Sequence, residues 1–179
     1  MRIVGGEYRS RILADIQGDE VRPTSDRARE ALFNILNMRV RDARVLDLFA
    51  GSGALGLESL SRGAKEAVFN DFSKDSVAIV KKNVQMLKAQ EKVRIYQTDF
   101  AAFLSMAKEP FDIIFIDPPY RFDYGEKALQ MIAQKGLLTE NGIAIYERDR
   151  SFEGEIEGLE KYDERRYGKA FLTFFRRKI

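Results

Sequence analysis

Residues 45–56 read Val45-Leu46-Asp47-Leu48-Phe49-Ala50-Gly51-Ser52-Gly53-Ala54-Leu55-Gly56: an apolar run, a turn built on glycines, and the start of a helix. Such a stretch predicts the opening of a βαβ unit, because branched and aromatic residues favour a strand and glycine breaks it. Working outward, apolar runs recur at 67–70, 93–96, 111–116 and 143–146. Helical patterns lie between them. Val77, Val80, Val84 and Leu87 recur at spacings of three and four, and so do Ala128, Leu129 and Ile132, whose helix is expected to stop at Gly136. Strands alternating with helices predict an α/β fold with a parallel sheet covered on both faces.

Both ends of the chain depart from this alternation. Residues 162–166, a turn near Gly168 and residues 170–175 predict a hairpin. Phe171, Leu172, Phe174 and Phe175 leave no polar face, so 170–175 is expected inside the sheet, antiparallel between its neighbours. Ahead of the first core strand runs an arginine-bearing segment from Arg2 to Leu13, then Arg22-Pro23-Thr24-Ser25-Asp26 leading into an amphipathic helix. Thr24, Ser25 or Asp26 can cap that helix, and Ala28, Leu32, Ile35 and Leu36 give it an apolar stripe. The expected organisation is a basic extension with a capping helix over 1–41, packed on a core over 42–179 as one compact unit.

With 179 residues, 45% hydrophobic and 32% charged, the chain has the material for one core. It contains no cysteine and no histidine. Disulfide scaffolds, thiolate nucleophiles, Ser-His-Asp triads and His/Cys zinc sites are therefore excluded. No apolar run approaches the roughly 18 to 20 residues that cross a bilayer, and the N-terminus lacks a signal-like apolar stretch, so a soluble cytoplasmic protein without a membrane partner is expected. The net charge of +2 decides nothing by itself. Its distribution says more: Arg2, Arg9, Arg11, Arg22, Arg27 and Arg29 crowd the first thirty residues, and Arg165, Arg166, Lys169, Arg176, Arg177 and Lys178 form a basic tail.

The glycine turn suits a ligand lying across the strand ends, against exposed helix N-terminal amides. Asp71, closing the second strand, can accept from both ribose hydroxyls of an adenosine. Gly51, Gly53 and Gly56 with an acid 20 positions after Gly51 also spell the dinucleotide fingerprint, so a nicotinamide oxidoreductase has to be weighed. Two features count against it. Asp47 lies four residues before Gly51, where a pyrophosphate would be repelled and an ammonium attracted, and 179 residues leave no separate catalytic domain. After the third strand, Asp99 can accept from an adenine amino group while Phe72 or Phe100 packs on the ring. Strand-end aspartates also cap helices and phenylalanines also fill cores; the coincidence at three successive strand ends is what points to a ligand.

The fourth strand runs into Asp117-Pro118-Pro119-Tyr120. Consecutive prolines end the strand and present carbonyl acceptors without competing amide donors. A stiff acceptor edge suits an exocyclic amine, whose lone pair must be localised before it can act as a nucleophile. Asp117 and the Pro118 carbonyl can take the two amino hydrogens, and Tyr120 can stack on an extruded base. The missing cysteine excludes methylation at carbon five of a pyrimidine, which needs a thiolate.

These residues resemble the class I methyltransferases that act on amino groups, whose motifs D-x-F-x-G-x-G and [DN]-P-P-[YF] both occur here in that order. Together with Arg22-Pro23-Thr24-Ser25-Asp26-Arg27 and Arg29-Glu30-Ala31-Leu32-Phe33-Asn34, the chain resembles the bacterial RsmD family. The resemblance implies a Rossmann-like fold with a mostly parallel seven-stranded sheet, helices on both faces and a C-terminal antiparallel hairpin strand. It implies S-adenosylmethionine as cofactor, S-adenosylhomocysteine as product, no metal, and the 2-amino group of a guanosine in small-subunit (16S) ribosomal RNA as acceptor, within an assembled or assembling subunit. Carried over, Asp47, Gly51 and Gly53 line the methionine end, Asp71 the ribose and Asp99 the adenine, Asp117, Pro118, Pro119 and Tyr120 are catalytic, and Phe49, Phe72 and Phe100 are further expected cofactor contacts. Arg9, Arg11, Arg22, Thr24 and Arg27 are the expected nucleic-acid contacts. The alternatives are an amino methyltransferase acting on adenine in DNA or RNA, a non-catalytic RNA-binding protein, and a dehydrogenase. Residues 151–166 match the family least.

Overall fold

The core strands carry large apolar side chains on both faces, and helices cover both. The computed structural model describes residues 1–16, 25–120 and 122–179. The strands are β1 (Arg44–Asp47), β2 (Glu66–Asp71), β3 (Val93–Gln97), β4 (Phe111–Ile116), β5 (Leu138–Arg148), β6 (Leu159–Tyr167) and β7 (Ala170–Arg177). The helices are α1 (Asp26–Leu36), α2 (Ala54–Ser61), α3 (Lys74–Met86), α4 (Phe100–Met106) and α5 (Tyr124–Lys135). All seven strands form one sheet in the order β3-β2-β1-β4-β5-β7-β6. From β3 to β5 every pairing is parallel; β7 pairs antiparallel with both β5 and β6.

Period-two alternation sorts the buried side chains into two cores. Val45, Phe69, Ile113, Phe115, Ile143, Ile145, Leu172 and Phe174 face α1, α2 and α3 through Leu32, Phe33, Leu57, Leu60, Val80 and Val84. Leu46, Val68, Ile114, Ile116, Ala144, Tyr146 and Phe175 face α4 and α5 through Phe103, Leu104, Ala128, Leu129 and Ile132. The mostly parallel α/β fold with an inserted antiparallel strand is as expected, and its reason is visible: β7 is buried on both faces because it lies inside the sheet. Phe171, expected to be buried, is only partly so, since it sits at the start of the strand. Gly136 ends α5 in the left-handed conformation at φ 63°, as its position predicted.

At the start of the chain, Arg2 bridges Ile12 antiparallel, so the segment folds back on itself. Its anchor is Glu58 on α2, fully buried, which accepts from Val4 N at 2.9 Å, Gly5 N at 3.0 Å, Arg62 Nε at 2.9 Å and Arg29 Nε at 3.2 Å. Arg29, counted from sequence among the arginines of the basic extension, is thus an internal ion-pair partner and adds no exposed charge to it. Its guanidinium also donates to the Arg2 carbonyl and to Asp26. Ser25 caps α1, accepting from Ala28 N at 3.1 Å. On that helix Phe33 is buried more deeply than Ile35, so the apolar stripe is rotated slightly from the expected one. Among the described residues no helix is long and apolar enough to cross a membrane.

Candidate active site

In a parallel sheet the carboxyl ends of the strands lie together, and here they bring together acidic side chains far apart in sequence. Asp47 ends β1, is 2% exposed, and accepts from Gly56 N at 3.0 Å. Burial, opposed by that hydrogen bond and assisted by the negative charge of Asp71, pushes its carboxyl up to about 7. Asp71 ends β2 and bridges two turns, accepting from Gly51 N at 2.9 Å and Ser73 N at 2.8 Å. Asp99 caps α4 through Ala101 N at 2.8 Å and Ala102 N at 3.3 Å. Each strand-end carboxylate therefore holds a local turn at the same end of the sheet.

Gly51 and Gly53 adopt positive φ, 58° and 85°, which a side chain would strain. Gly56 serves packing instead: a Cβ there would lie 2.3 Å from the Phe69 ring. The loop is roofed by the first segment, since Asn83 accepts from Ala14 N at 2.7 Å and donates to Ala14 O at 3.0 Å and Ser52 O at 2.9 Å. Ile16 lies 3.8 Å from where a Cβ of Gly51 would project. Phe49 packs on Phe100, centroids 5.2 Å apart, and lies parallel to Tyr124 at 6.4 Å. Phe100 is buried in the core while Phe72 is 78% exposed, so of the two rings Phe72 is the one open to a ligand.

Ile116 of β4 is in register with Tyr146 of β5, so Asp117 and Glu147 come next on adjacent strands. Their carboxyls lie close enough for the charge of each to act on the other. Burial first, then the charges of Glu147 and Asp47, push the Asp117 carboxyl well above the usual carboxylate range. Two like charges this close hold one proton between them. Burial and the charges of Glu147 and Asp117 also raise the Tyr120 phenol, which donates to Glu147 Oε1 at 3.4 Å. Pro118 is buried; Pro119 and Tyr120 are exposed, with Phe122 N donating to Pro119 O at 3.2 Å to close a turn. Phe122 and Tyr124 stack at 4.7 Å and 17°, both about two-fifths exposed, as a second aromatic wall. Glu147 lines two shallow pockets beside this motif, one with Pro118, Tyr120, Arg148 and Arg150, the other with Asp117, Leu32 and Leu55.

The structure thus gathers Asp47, Phe49, Gly51, Gly53, Asp71, Phe72, Asp99, Phe100 and the residues Asp117 to Tyr120 at one end of the sheet. Arg9, Arg11 and Arg27 are exposed on the amino-terminal piece, with Arg11 donating to Met86 O at 3.0 Å. Arg22 and Thr24 lie outside the described residues. In the basic tail, Arg165 pairs with Asp163 and Arg176 with Glu160, so part of its charge is neutralised. Sequence reasoning missed Glu147, Tyr124, Asn83 and Glu58. For Glu147 a signal existed: it directly follows the apolar run 143–146, the same strand-end position that singled out Asp47, Asp71 and Asp99. The other three act chiefly through partners distant in sequence: Tyr124 through Phe49 and Phe100, Asn83 through Ala14, Glu58 through Val4, Gly5 and Arg29.

A seven-stranded sheet of this order, with its glycine loop after β1 and an acidic-proline motif after β4, defines the fold of the class I methyltransferases. The family model described as conserved hypothetical protein 95 matches residues 1–176, and the chain belongs to that family, the RsmD family. It is 38% identical over 149 residues to the ribosomal RNA small subunit methyltransferase D of Escherichia coli K12, covering 83% of this chain and 75% of the relative. The protein of the same name from Haemophilus influenzae is 35% identical over 153 residues, covering 84% and 79%. The solved structure of yhhF from Escherichia coli matches with a TM-score of 0.89 at 33% identity, over 99% of this chain and 98% of that one.

Proposed function

We propose that this protein transfers a methyl group from S-adenosylmethionine to the 2-amino group of a guanosine in small-subunit (16S) ribosomal RNA, releasing S-adenosylhomocysteine. The observation that carries the reading is Asp117-Pro118-Pro119-Tyr120 at the end of β4, beside the β1 glycine loop. The substrate class is supported by relatives that bear the name ribosomal RNA small subunit methyltransferase D.

The crevice residues fit the cofactor chemically. Asp47, held near neutrality by burial and by Asp71, gains from a cation beside it, which the ammonium and sulfonium groups supply. Asp71 would take the ribose hydroxyls, Asp99 the adenine amine, Phe72 a ring face, and Phe49 with Gly51 and Gly53 the methionine end. When bound, the cofactor supplies an electrophilic methyl, which the amine nitrogen accepts with loss of one N–H proton. The Asp117 carboxylate and the Pro118 carbonyl accept the two amine hydrogens and hold the nitrogen lone pair outside the base plane. These acceptors strengthen as the nitrogen gains positive charge, so they favour the transition state over the ground state. Tyr120 and Phe122 offer faces for a base taken out of its stack. Arg9, Arg11, Arg27 and Arg150 would meet phosphates. We assign residues 1–41 to substrate contact and 42–179 to cofactor and chemistry, in a cytoplasmic enzyme acting on an assembled or assembling subunit.

The test is methyl transfer from labelled S-adenosylmethionine to small ribosomal subunits that lack the modification, followed by digestion to nucleosides. Label in 2-methylguanosine is the expected result. Label in methyladenosine would keep the mechanism and overturn the acceptor, and no transfer to RNA in any form would overturn the reading.

A further inference from the structure

Glu147 stands at the centre of the candidate site, yet nothing in the transfer described above requires it. It is 6% exposed, lies beside Asp117 on the adjacent strand, receives the Tyr120 hydroxyl, and forms part of the wall of both shallow pockets beside the acidic-proline motif. A carboxylate is costly to bury among other carboxylates, and such a cost persists at sites where a ligand offsets it.

The donor pattern of the base suggests what offsets it. On its Watson–Crick edge guanine presents N1–H beside the two hydrogens of its 2-amino group, three adjacent donors. Asp117 and the Pro118 carbonyl account for two of them. A carboxylate is an acceptor only, and one neighbouring Asp117 is placed to take the third. Adenine presents a lone pair at N1 next to its amine, which the same carboxylate would repel. Resting on the proposed guanine reading, we infer that Glu147 is the specificity-determining residue of this site: it accepts the N1–H of the target guanine while Asp117 holds the amine. Until a base arrives the Tyr120 hydroxyl donates to Glu147 and the two carboxyls share a proton; that proton leaves to solvent as the base binds, so that both carboxylates then accept.

The inference is tested with small-subunit particles reconstituted from RNA carrying either guanosine or 2-aminopurine riboside at the methylated position. 2-Aminopurine keeps the 2-amino group but has an N1 lone pair in place of N1–H. The wild-type protein should favour guanosine in kcat/KM by about a hundredfold or more, as sites built around a substrate donor do. In Glu147→Gln the carboxamide can donate to that lone pair, so the preference should shrink by about tenfold or more, the worth of a buried hydrogen bond gained on one substrate and weakened on the other. Equal loss on both substrates, with the ratio kept, would reduce Glu147 to a structural role and overturn the inference. Should Glu147→Gln fail to fold, Glu147→Asp retains the charge and is expected to keep the preference at a raised KM; loss of preference there would count against the assignment. Label in adenosine in the wild-type reaction would instead overturn the guanine reading beneath it, and nucleoside identity tells the two failures apart.

Discussion

At the scale of single residues, Asp47 and Asp117 are both raised, with different consequences. Asp47 titrates at about 7, and on the proposed function it meets the cofactor ammonium, which favours its ionised form. Affinity for S-adenosylhomocysteine should therefore climb with pH, by up to about tenfold per unit below 7, and level off above it. Calorimetric titration between about pH 5.5 and pH 8.5 checks this; a flat profile would mean the ammonium is held elsewhere. Without ligand the same group acts in the opposite direction. Its raised carboxyl favours folding below the ordinary value of 3.8, and that contribution is lost as pH rises through about 7. On the proposed function, Asp117 and Asp71 separate chemistry from binding. Asp117→Ala should lower kcat by about 10²–10³, the scale of one lost transition-state contact, with cofactor affinity nearly intact. Asp71→Ala should weaken cofactor binding and spare kcat at saturation; parallel losses in both variants would dissolve the division of roles.

At the scale of elements, the least family-like stretch proves to be a structural tie. Glu164 on β6 accepts from Ser151 Oγ at 2.5 Å, Phe152 N at 3.0 Å and Thr173 Oγ1 of β7 at 2.8 Å, and pairs with Lys161 at 3.1 Å. Burial raises its carboxyl, and these four donors outweigh burial and bring it down from 4.5 to about 2. Its stabilisation is present above 4.5 and lost as pH falls toward 2. Glu164→Gln should cost about 2 kcal/mol at neutral pH, after discounting for partial solvent screening, and almost nothing at the acid end. Denaturant unfolding at pH 7 and near pH 2.5 compares the two; an equal penalty at both would assign the effect to hydrogen-bond geometry rather than charge. The strands, the hairpin and the place of β7 were legible in the sequence because apolar periodicity is local. So was the placement of Asp47, Asp71, Asp99 and Asp117, since each ends or follows a strand. The ion pair of Arg29 was not legible because its partner Glu58 is 29 residues away, and Asn83 was invisible because it serves Ala14, 69 residues earlier. No local pattern records such ties.

At the scale of the whole molecule, a net charge of +2 leaves steering to where the charges sit. Arg9 and Arg11 are exposed on a segment anchored through Glu58 and Asn83 to the helices that flank the glycine loop. Neutralising both should weaken substrate binding and flatten the salt dependence, lowering the log–log slope by about one to two. An unchanged slope would assign them to solvation.

The placement of β7 bears on a different question, the order in which the molecule is built. Strand β6 is made before β7 yet touches the sheet only through it, so during synthesis residues 159–167 have no partner until residues 170–177 have left the ribosome. Until then the edge of β5 that carries Glu147 stands open to any passing strand. Leu172 of β7 lines the pocket beside Asp117, so that wall is complete only once β7 is in place.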